Sequence, residues 1–386
     1  MESDKKENSS SKRARETPFE ARNIFAAGFN ALGQLDPSHK GDIRSLQRID
    51  QALPQAENGD FGVFFAGWGS AVFKSSHLLI CRGAWTYSQD IVNEITGAGP
   101  RISFGDHNGM IGCLDDDGGL YVLPESSTTG KNIKPLIFES VPDCPRLGLI
   151  ALAGNDQVAI TFQQAPKSNL CHIAEFGNIK KFLEWYRDPS REGNYPSQHH
   201  MIPGRPKQLL ANAATFTLLM EDGNCFTWGD SRHQTLGRPI NGEHSIPADK
   251  PGILDALAGL NIVQVATGGW MNAALSQDGA AYLWGSGSPG SEHILDCLRE
   301  VGTGEIALVN VCEDSAEPLD ILDIAVGNGH AAVIAESGRV FVSGDNSNGQ
   351  LGVGSIDDFI SNWQEVERIG GAKSIVCGPK ATFVIM

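Results

Sequence analysis

Three segments of the chain superimpose residue for residue, with no gap. Residues 265–285 read VATGGWMNAALSQDGAAYLWG, residues 324–344 read IAVGNGHAAVIAESGRVFVSG, and residues 209–229 read LLANAATFTLLMEDGNCFTWG. In each, one glycine falls fourteen positions after the start (Gly279, Gly338, Gly223) and another falls at twenty (Gly285, Gly344, Gly229). Apolar runs of strand length flank the first glycine, AALS and AYLW in the first copy. Asp278-Gly279 and Asp222-Gly223 are hairpin signals, because glycine accepts a positive φ without a Cβ clash. Each copy therefore reads as strand, loop, strand, tight turn, strand. A unit of three or four short strands cannot bury both its faces alone, so neighbouring units must cover one another.

Weaker copies follow the same template. They begin at Phe64 (FFAGWGSAVFKSSHLLICRG), at Ile102 (ISFGDHNGMIGCLDDDGGLYVL) and at Ile150 (IALAGNDQVAITF, reaching HIAEFG after an insertion around Pro166). The last begins at Ile375, IVCGPKATFVIM, and lacks a second half, which is present instead at 23–35, NIFAAGFNALGQL. Starts at 64, 102, 150, 209, 265, 324 and 375 make seven units. An open array has no use for half a repeat at each end. A ring does, because the N-terminal strand then completes the blade begun by the C-terminal strands. The expected fold is all-β: one seven-bladed β-propeller over 23–386, closed by pairing of N- and C-terminal strands, behind a disordered tail at 1–22. That tail carries six basic and five acidic side chains and almost no apolar ones, too little to repay ordering.

Composition agrees. Glycine makes up 45 of 386 residues, well above the usual ~7 %, while 41 % of residues are apolar. The glycines thus punctuate short elements. A net charge of −16 argues against strong direct nucleic-acid binding, which needs clustered Lys and Arg. No run approaches a membrane span, and residues 1–16 lack the apolar core of a secretory signal. The eight cysteines (Cys81, Cys113, Cys144, Cys171, Cys225, Cys297, Cys312, Cys377) form no C-x-x-C pair, so buried reduced thiols are expected. His199 and His200 have no second pair of ligands and are expected in a solvated loop. The run Asp115-Asp116-Asp117-Gly118-Gly119 lacks the spaced ligands of a calcium loop and reads as an acidic hairpin. There is no G-x-x-x-x-G-K, G-x-S-x-G or H-E-x-x-H. No catalytic residue, metal or cofactor is expected, and the chain reads as a non-enzyme.

Residues 28–35, GFNALGQL, and 344–352, GDNSNGQLG, resemble the G-x-N-x-x-G-Q-L-G signature of the regulator of chromosome condensation repeat family. Residues 229–237, GDSRHQTLG, are a worn version at the same spacing. On this resemblance Gly28, Gly33, Gln34, Leu35, Gly229, Gly285, Gly344, Gly349, Gln350 and Leu351 are structural repeat positions. The stretch 254–270, LDALAGLNIVQVATGGW, and the ending CGPKATFVIM are similar to the small stand-alone members. The resemblance implies a non-enzymatic adaptor linked to chromatin or chromosome maintenance, partnering a Jumonji-type oxygenase. Two other roles found in the family stay open: guanine-nucleotide exchange on a Ran-like GTPase, and an adaptor for a small zinc protein in tRNA or translation-factor modification. The expected partners are therefore proteins (an oxygenase, histones or a small GTPase), with a monomeric chain in nucleus or cytoplasm. Lys12, Arg13 and Arg15 form a candidate nuclear signal. Family members carry a His after the aromatic at the position of Trp270, where this copy has Met271; His330 alone keeps it and is expected to bond a neighbouring turn.

Two insertions carry the candidate contacts. Residues 186–207 hold four basic and two acidic groups and four prolines, suited to docking an extended peptide. Residues 292–323 hold nine acidic groups against Arg299, suited to a basic partner. Both are read as preceding the first strand of the next blade, so both are expected on one face, two blades apart. The candidate contacts are Arg191, Arg205 and Trp270, as residue types enriched in hot spots, with Glu313, Asp314 and Glu317.

Overall fold

The computed structural model describes residues 23–54, 61–85, 87–123, 136–138, 146–165, 167–287, 290, 292–312 and 317–386. The expectations placed on 1–22, Cys144, Pro166, Glu313 and Asp314 lie outside the described residues.

The chain opens with β1 (Ile24–Gly28) and β2 (Ile43–Arg48). Blade 1 follows as β3 (Gly62–Ala66), β4 (Ser70–Lys74) and β5 (Leu79–Gly83), with helix α1 (Gln89–Gly97) after them. Blade 2 is β6 (Pro100–Gly105), β7 (Met110–Asp115), β8 (Leu120–Val122) and β9 (Leu136–Phe138). Blade 3 is β10 (Leu147–Leu152), β11 (Val158–Phe162), β12 (Leu170–Phe176), helix α2 (Ile179–Arg187) and β13 (Gln198–Pro203). Blade 4 is β14 (Pro206–Ala211), β15 (Thr215–Met220), β16 (Cys225–Gly229) and β17 (Gly252–Ile253). Blade 5 is β18 (Ile262–Gly268), β19 (Met271–Ser276), β20 (Ala281–Gly285) and β21 (Ala307–Leu308). Blade 6 is β22 (Ile321–Val326), β23 (His330–Ala335), β24 (Val340–Asp345) and β25 (Phe359–Glu365). Blade 7 is β26 (Ser374–Gly378) and β27 (Ala381–Ile385), completed by β1 and β2 in the order β26-β27-β1-β2.

Seven antiparallel sheets result. The first strand of each blade packs on the first strand of the next, and β26 packs on β3, which closes the ring. Seven apolar clusters fill the seven gaps between blades; Phe73 and Phe383, for example, meet between blades 7 and 1. Each large side chain so buried contributes about 1.5–3 kcal/mol. Loops near the axis add lateral bonds: Trp68 N donates to His107 O (2.8 Å), Ala213 N to Gly269 O (2.8 Å) and Asn328 N to Pro379 O (3.2 Å).

The second glycine of the repeat ends the third strand of a blade. Gly83, Gly229, Gly285, Gly344 and Gly28 pair with Ser70, Thr215, Met271, His330 and Ala381 at the start of the second strand. All five have positive φ, and a Cβ on any of them would lie 2.1–2.5 Å from the carbonyl oxygen just before its partner. This close approach explains the twenty-residue spacing.

The signature loops are built around buried amides. Asn30 Nδ2 donates to Asp36 O (3.0 Å) and His39 O (3.1 Å), and its Oδ1 accepts from the amides of Leu35 (2.9 Å) and Asp36 (3.0 Å). Asn346 repeats the pattern with Asp357 O (2.8 Å) and the Leu351 amide (3.2 Å). Gln34 Nε2 donates to Phe29 O (2.8 Å) and, across the seam, to Trp68 O (3.0 Å).

Three features differ from the expectation. Six blades have a fourth strand where three were read, since β17 and β21 have two residues each and leave no periodicity. Blade 1 has α1 in that place, with Ile91, Val92 and Ile95 buried. The N-terminal segment supplies two strands to blade 7, not one.

Candidate functional site

All blades share one strand direction, so the ring has two distinct faces. The first-to-second and third-to-fourth connections form one, the loop face. The second-to-third hairpins and the blade-to-blade crossings form the other, the hairpin face.

This division separates the candidate contacts. Residues 186–207 are not a single connection: the segment after α2 crosses the loop face, β13 runs down the rim, and residues 204–205 cross the hairpin face. Likewise 292–323 contains β21, with 309–312 and 317–320 on the hairpin face. Arg191 and Trp270 lie on the loop face. Arg205 and Glu317 lie on the hairpin face. The expectation that both insertions share one face is therefore corrected, and the unrecognised fourth strands are the reason. Arg205 sits beside the blade 4 hairpin, where its carbonyl accepts from the Glu221 amide (2.8 Å). A groove of about 410 Å³ there is lined by Arg101, Asp116, Arg205, Lys207 and Glu221.

On the loop face Trp270 is half-buried, its ring 4.6 Å from that of His233. Asp230 holds Arg232 in a hydrogen-bonded ion pair, and that pair keeps the Asp230 carboxyl below its ordinary range. Lys380 and Asp345 pair at 2.6 Å; burial alone would raise the Asp345 carboxyl, but the bonds from Lys380 and Ser347 bring it below the usual range. His330 is fully buried beneath this pair, and its Nε2 meets Thr382 Oγ1 of blade 7 at 3.2 Å. Burial pushes its pKa down to about 4, with Lys380 adding to the effect and Asp345 opposing it. His330 thus bonds the neighbouring blade's strand and acts as a neutral peg between blades.

His199 and His200 are not in a loop but in β13, where His200 Nε2 meets Glu175 Oε1 at 2.7 Å. Among the described residues no group of three or more His, Cys, Asp or Glu could hold a metal ion. The described cysteines are free thiols. Burial pushes Cys81, Cys113 and Cys225 up to about 12, which keeps them as un-ionised packing groups. Cys312 is exposed. No helix among the described residues is long and apolar enough to cross a membrane.

Sequence reasoning missed one functional wall. Arg238, buried in blade 4, donates to the carbonyls of Thr227, Ile246 (2.6 Å), Pro247 (3.1 Å) and Lys250 (3.0 Å). It fixes the long third-to-fourth connection of that blade. Its signal was a lone basic residue after the worn signature, which nothing distinguished from surface charge.

The regulator of chromosome condensation (RCC1) repeat models match residues 222–275 and 321–350. RCC1 domain-containing protein 1 of Mus musculus is 30 % identical over 216 residues, which span 47 % of this chain and 55 % of that protein. The probable E3 ubiquitin-protein ligase HERC3 of Homo sapiens is 31 % identical over 169 residues, 44 % of this chain and 15 % of its own length. The chain thus spans little more than half of the one relative and a minor part of the other. Among solved structures, Prp20p of Saccharomyces cerevisiae matches with a TM-score of 0.66 at 15 % identity, covering 95 % of this chain and 91 % of that one. That likeness is one of fold. Taken with the seven closed blades and the buried signature amides, these matches show that the chain carries repeats similar to those of the regulator of chromosome condensation (RCC1) family.

Proposed function

We propose that this chain is a non-enzymatic protein-interaction scaffold whose loop face docks a protein partner linked to chromatin. One observation carries the reading. Of the nine large apolar side chains exposed among the described residues, six stand on loop-face connections: Leu32, Trp68, Tyr195, Ile246, Ile294 and Ile356. The hairpin tips carry instead Asp116, Asp117, Glu221, Asp222, Asp278 and Glu336 and, among the described residues, no exposed large apolar group. Exposed apolar groups concentrated on one face mark interaction surfaces. A chromatin-linked partner is supported by likeness to RCC1 domain-containing proteins and by the fold of Prp20p, described with binding properties to Gsp1p and histones. The oxygenase partner and the nuclear or cytoplasmic location rest on the family resemblance alone.

Affinity capture with the full chain, read by mass spectrometry, separates the readings. The scaffold reading expects histones or an oxygenase as the dominant partner. A dominant small GTPase, together with protein-dependent GDP release at micromolar concentration, would replace it with the exchange-factor reading. A zinc-ribbon protein would replace it with the translation-linked adaptor.

A further inference from the structure

Outer edges of sheets are templates for unwanted pairing, and natural proteins blunt them. Most outer edges of this ring are blunted. In blade 7, the outward groups of β2 are occupied: Leu46 N donates to Gly352 O (3.0 Å) and Gly354 N to Arg44 O (2.8 Å). In blade 6, β25 carries Glu365, paired with Arg339. β9, β17 and β21 are two or three residues long, and blade 1 has α1 in place of the strand.

β13 is different. It has six residues, Gln198-His199-His200-Met201-Ile202-Pro203, with no Asp, Glu, Lys or Arg. Burial, with His172 and His200 beside it, holds His199 below the ordinary histidine range, which disfavours its protonated form. Gly204 N donates to Asn169 O (2.9 Å), and Cys171 and Ile173 pair with Ile202 and His200. The alternation of antiparallel bonding then turns the amides and carbonyls of His199 and Met201 outward. Among the described residues these groups have no backbone partner.

Beside this edge runs a groove of about 500 Å³, with Ile202 and His200 on one wall and Ile246 and Lys250 on the other. Met201 is 62 % exposed and Ile246 38 %. Among the described residues Lys250 is the only Lys, Arg, Asp or Glu in the lining. The Arg238 bonds to the carbonyls of Ile246 and Lys250 hold that second wall in place, which lowers the ordering cost of an incoming chain.

We propose that the outer edge of β13 is a strand-addition site for an extended segment of a partner protein that alternates apolar and acidic residues. Backbone bonds to His199 and Met201 supply affinity, the apolar side chains fill the groove, and an acidic one meets Lys250. The proposal rests on the scaffold reading and extends the docking surface from the loop face onto the rim.

The test uses fluorescein-labelled octapeptides alternating Val with Glu, Val with Lys or Val with Ser, titrated into the full chain by fluorescence anisotropy. The Val/Glu peptide is expected to bind and the Val/Lys peptide to bind about tenfold more weakly. Met201→Pro removes one outward amide and no ladder bond, so it should abolish binding at an unchanged melting temperature. Lys250→Glu, which leaves the strand intact, should reverse the charge preference. Amide exchange at His199 and Met201 should slow in the complex. Equal binding of all three peptides, or binding that survives Met201→Pro, overturns the proposal. So does a dimer in sedimentation velocity that Met201→Pro dissociates, which would give the edge to a second copy. If no peptide binds while protein partners are still captured, the edge assignment fails and the scaffold reading stands.

Discussion

Gly28 stands directly opposite Ala381 in the ladder that joins the two ends of the described ring, and a Cβ on Gly28 would lie 2.2 Å from Lys380 O. Its φ of +124° is strained for any L side chain. Gly28→Ala should therefore destabilise the protein by about 3 kcal/mol. Gly370 has open space around it and no positive φ, so Gly370→Ala should leave the chemical denaturation midpoint unchanged. Equal midpoints for the two variants would contradict the closure geometry.

Closure can also be removed whole. Deleting 23–35 takes β1 out of the sheet β26-β27-β1-β2 and exposes an apolar edge on β27. The expected outcome is loss of a single cooperative transition in scanning calorimetry. A transition at the wild-type midpoint would mean that the ring does not depend on this strand.

Arg238 donates to carbonyls, and its removal takes a donor away from those of Ile246, Pro247 and Lys250, of which Pro247 O keeps the Lys250 amide. Arg238→Met should cost about 2–4 kcal/mol and accelerate amide exchange locally, over 239–251. Acceleration spread evenly over all blades would show a global role instead.

His330 gives a defined acid limb. The unfolded chain binds a proton near pH 6.5, whereas the folded chain excludes it until about pH 4. Stability from the neutral buried ring is complete above about 6.5 and falls as pH drops toward 4, by roughly 3 kcal/mol in all. His330→Asn should show a flatter loss across that window in urea titrations at several pH values. An unchanged slope would mean the proton is accepted in the folded state.

Much of this architecture was legible because glycine leaves a spaced trace. Gly223, Gly279 and Gly338 mark hairpins, and Gly229, Gly285 and Gly344 mark the close approach of the third strand to the second. Asn30 and Gln34 were visible as a motif, but their bonds were not. The fourth strands were illegible for a physical reason: an outer strand buries one side weakly, so Gly252–Ile253 and Ala307–Leu308 carry no pattern. Missing them merged loops of opposite faces, which put Arg205 with Arg191. The chemistry of β13 was equally hidden, since an unpaired edge is a property of backbone direction and not of residue type. Helix α2 replaced part of an expected loop because Phe182, Trp185 and Tyr186 bury together between blades 2 and 3.

Backbone amide exchange of the full chain, with and without its captured partner, tests the assignment of the docking face most directly. The account predicts slowed exchange on the loop face, at 29–35, 67–69, 231–251 and 346–358, with the hairpins at 115–119, 221–224, 277–280 and 336–339 unchanged. Protection confined to those hairpins would contradict it.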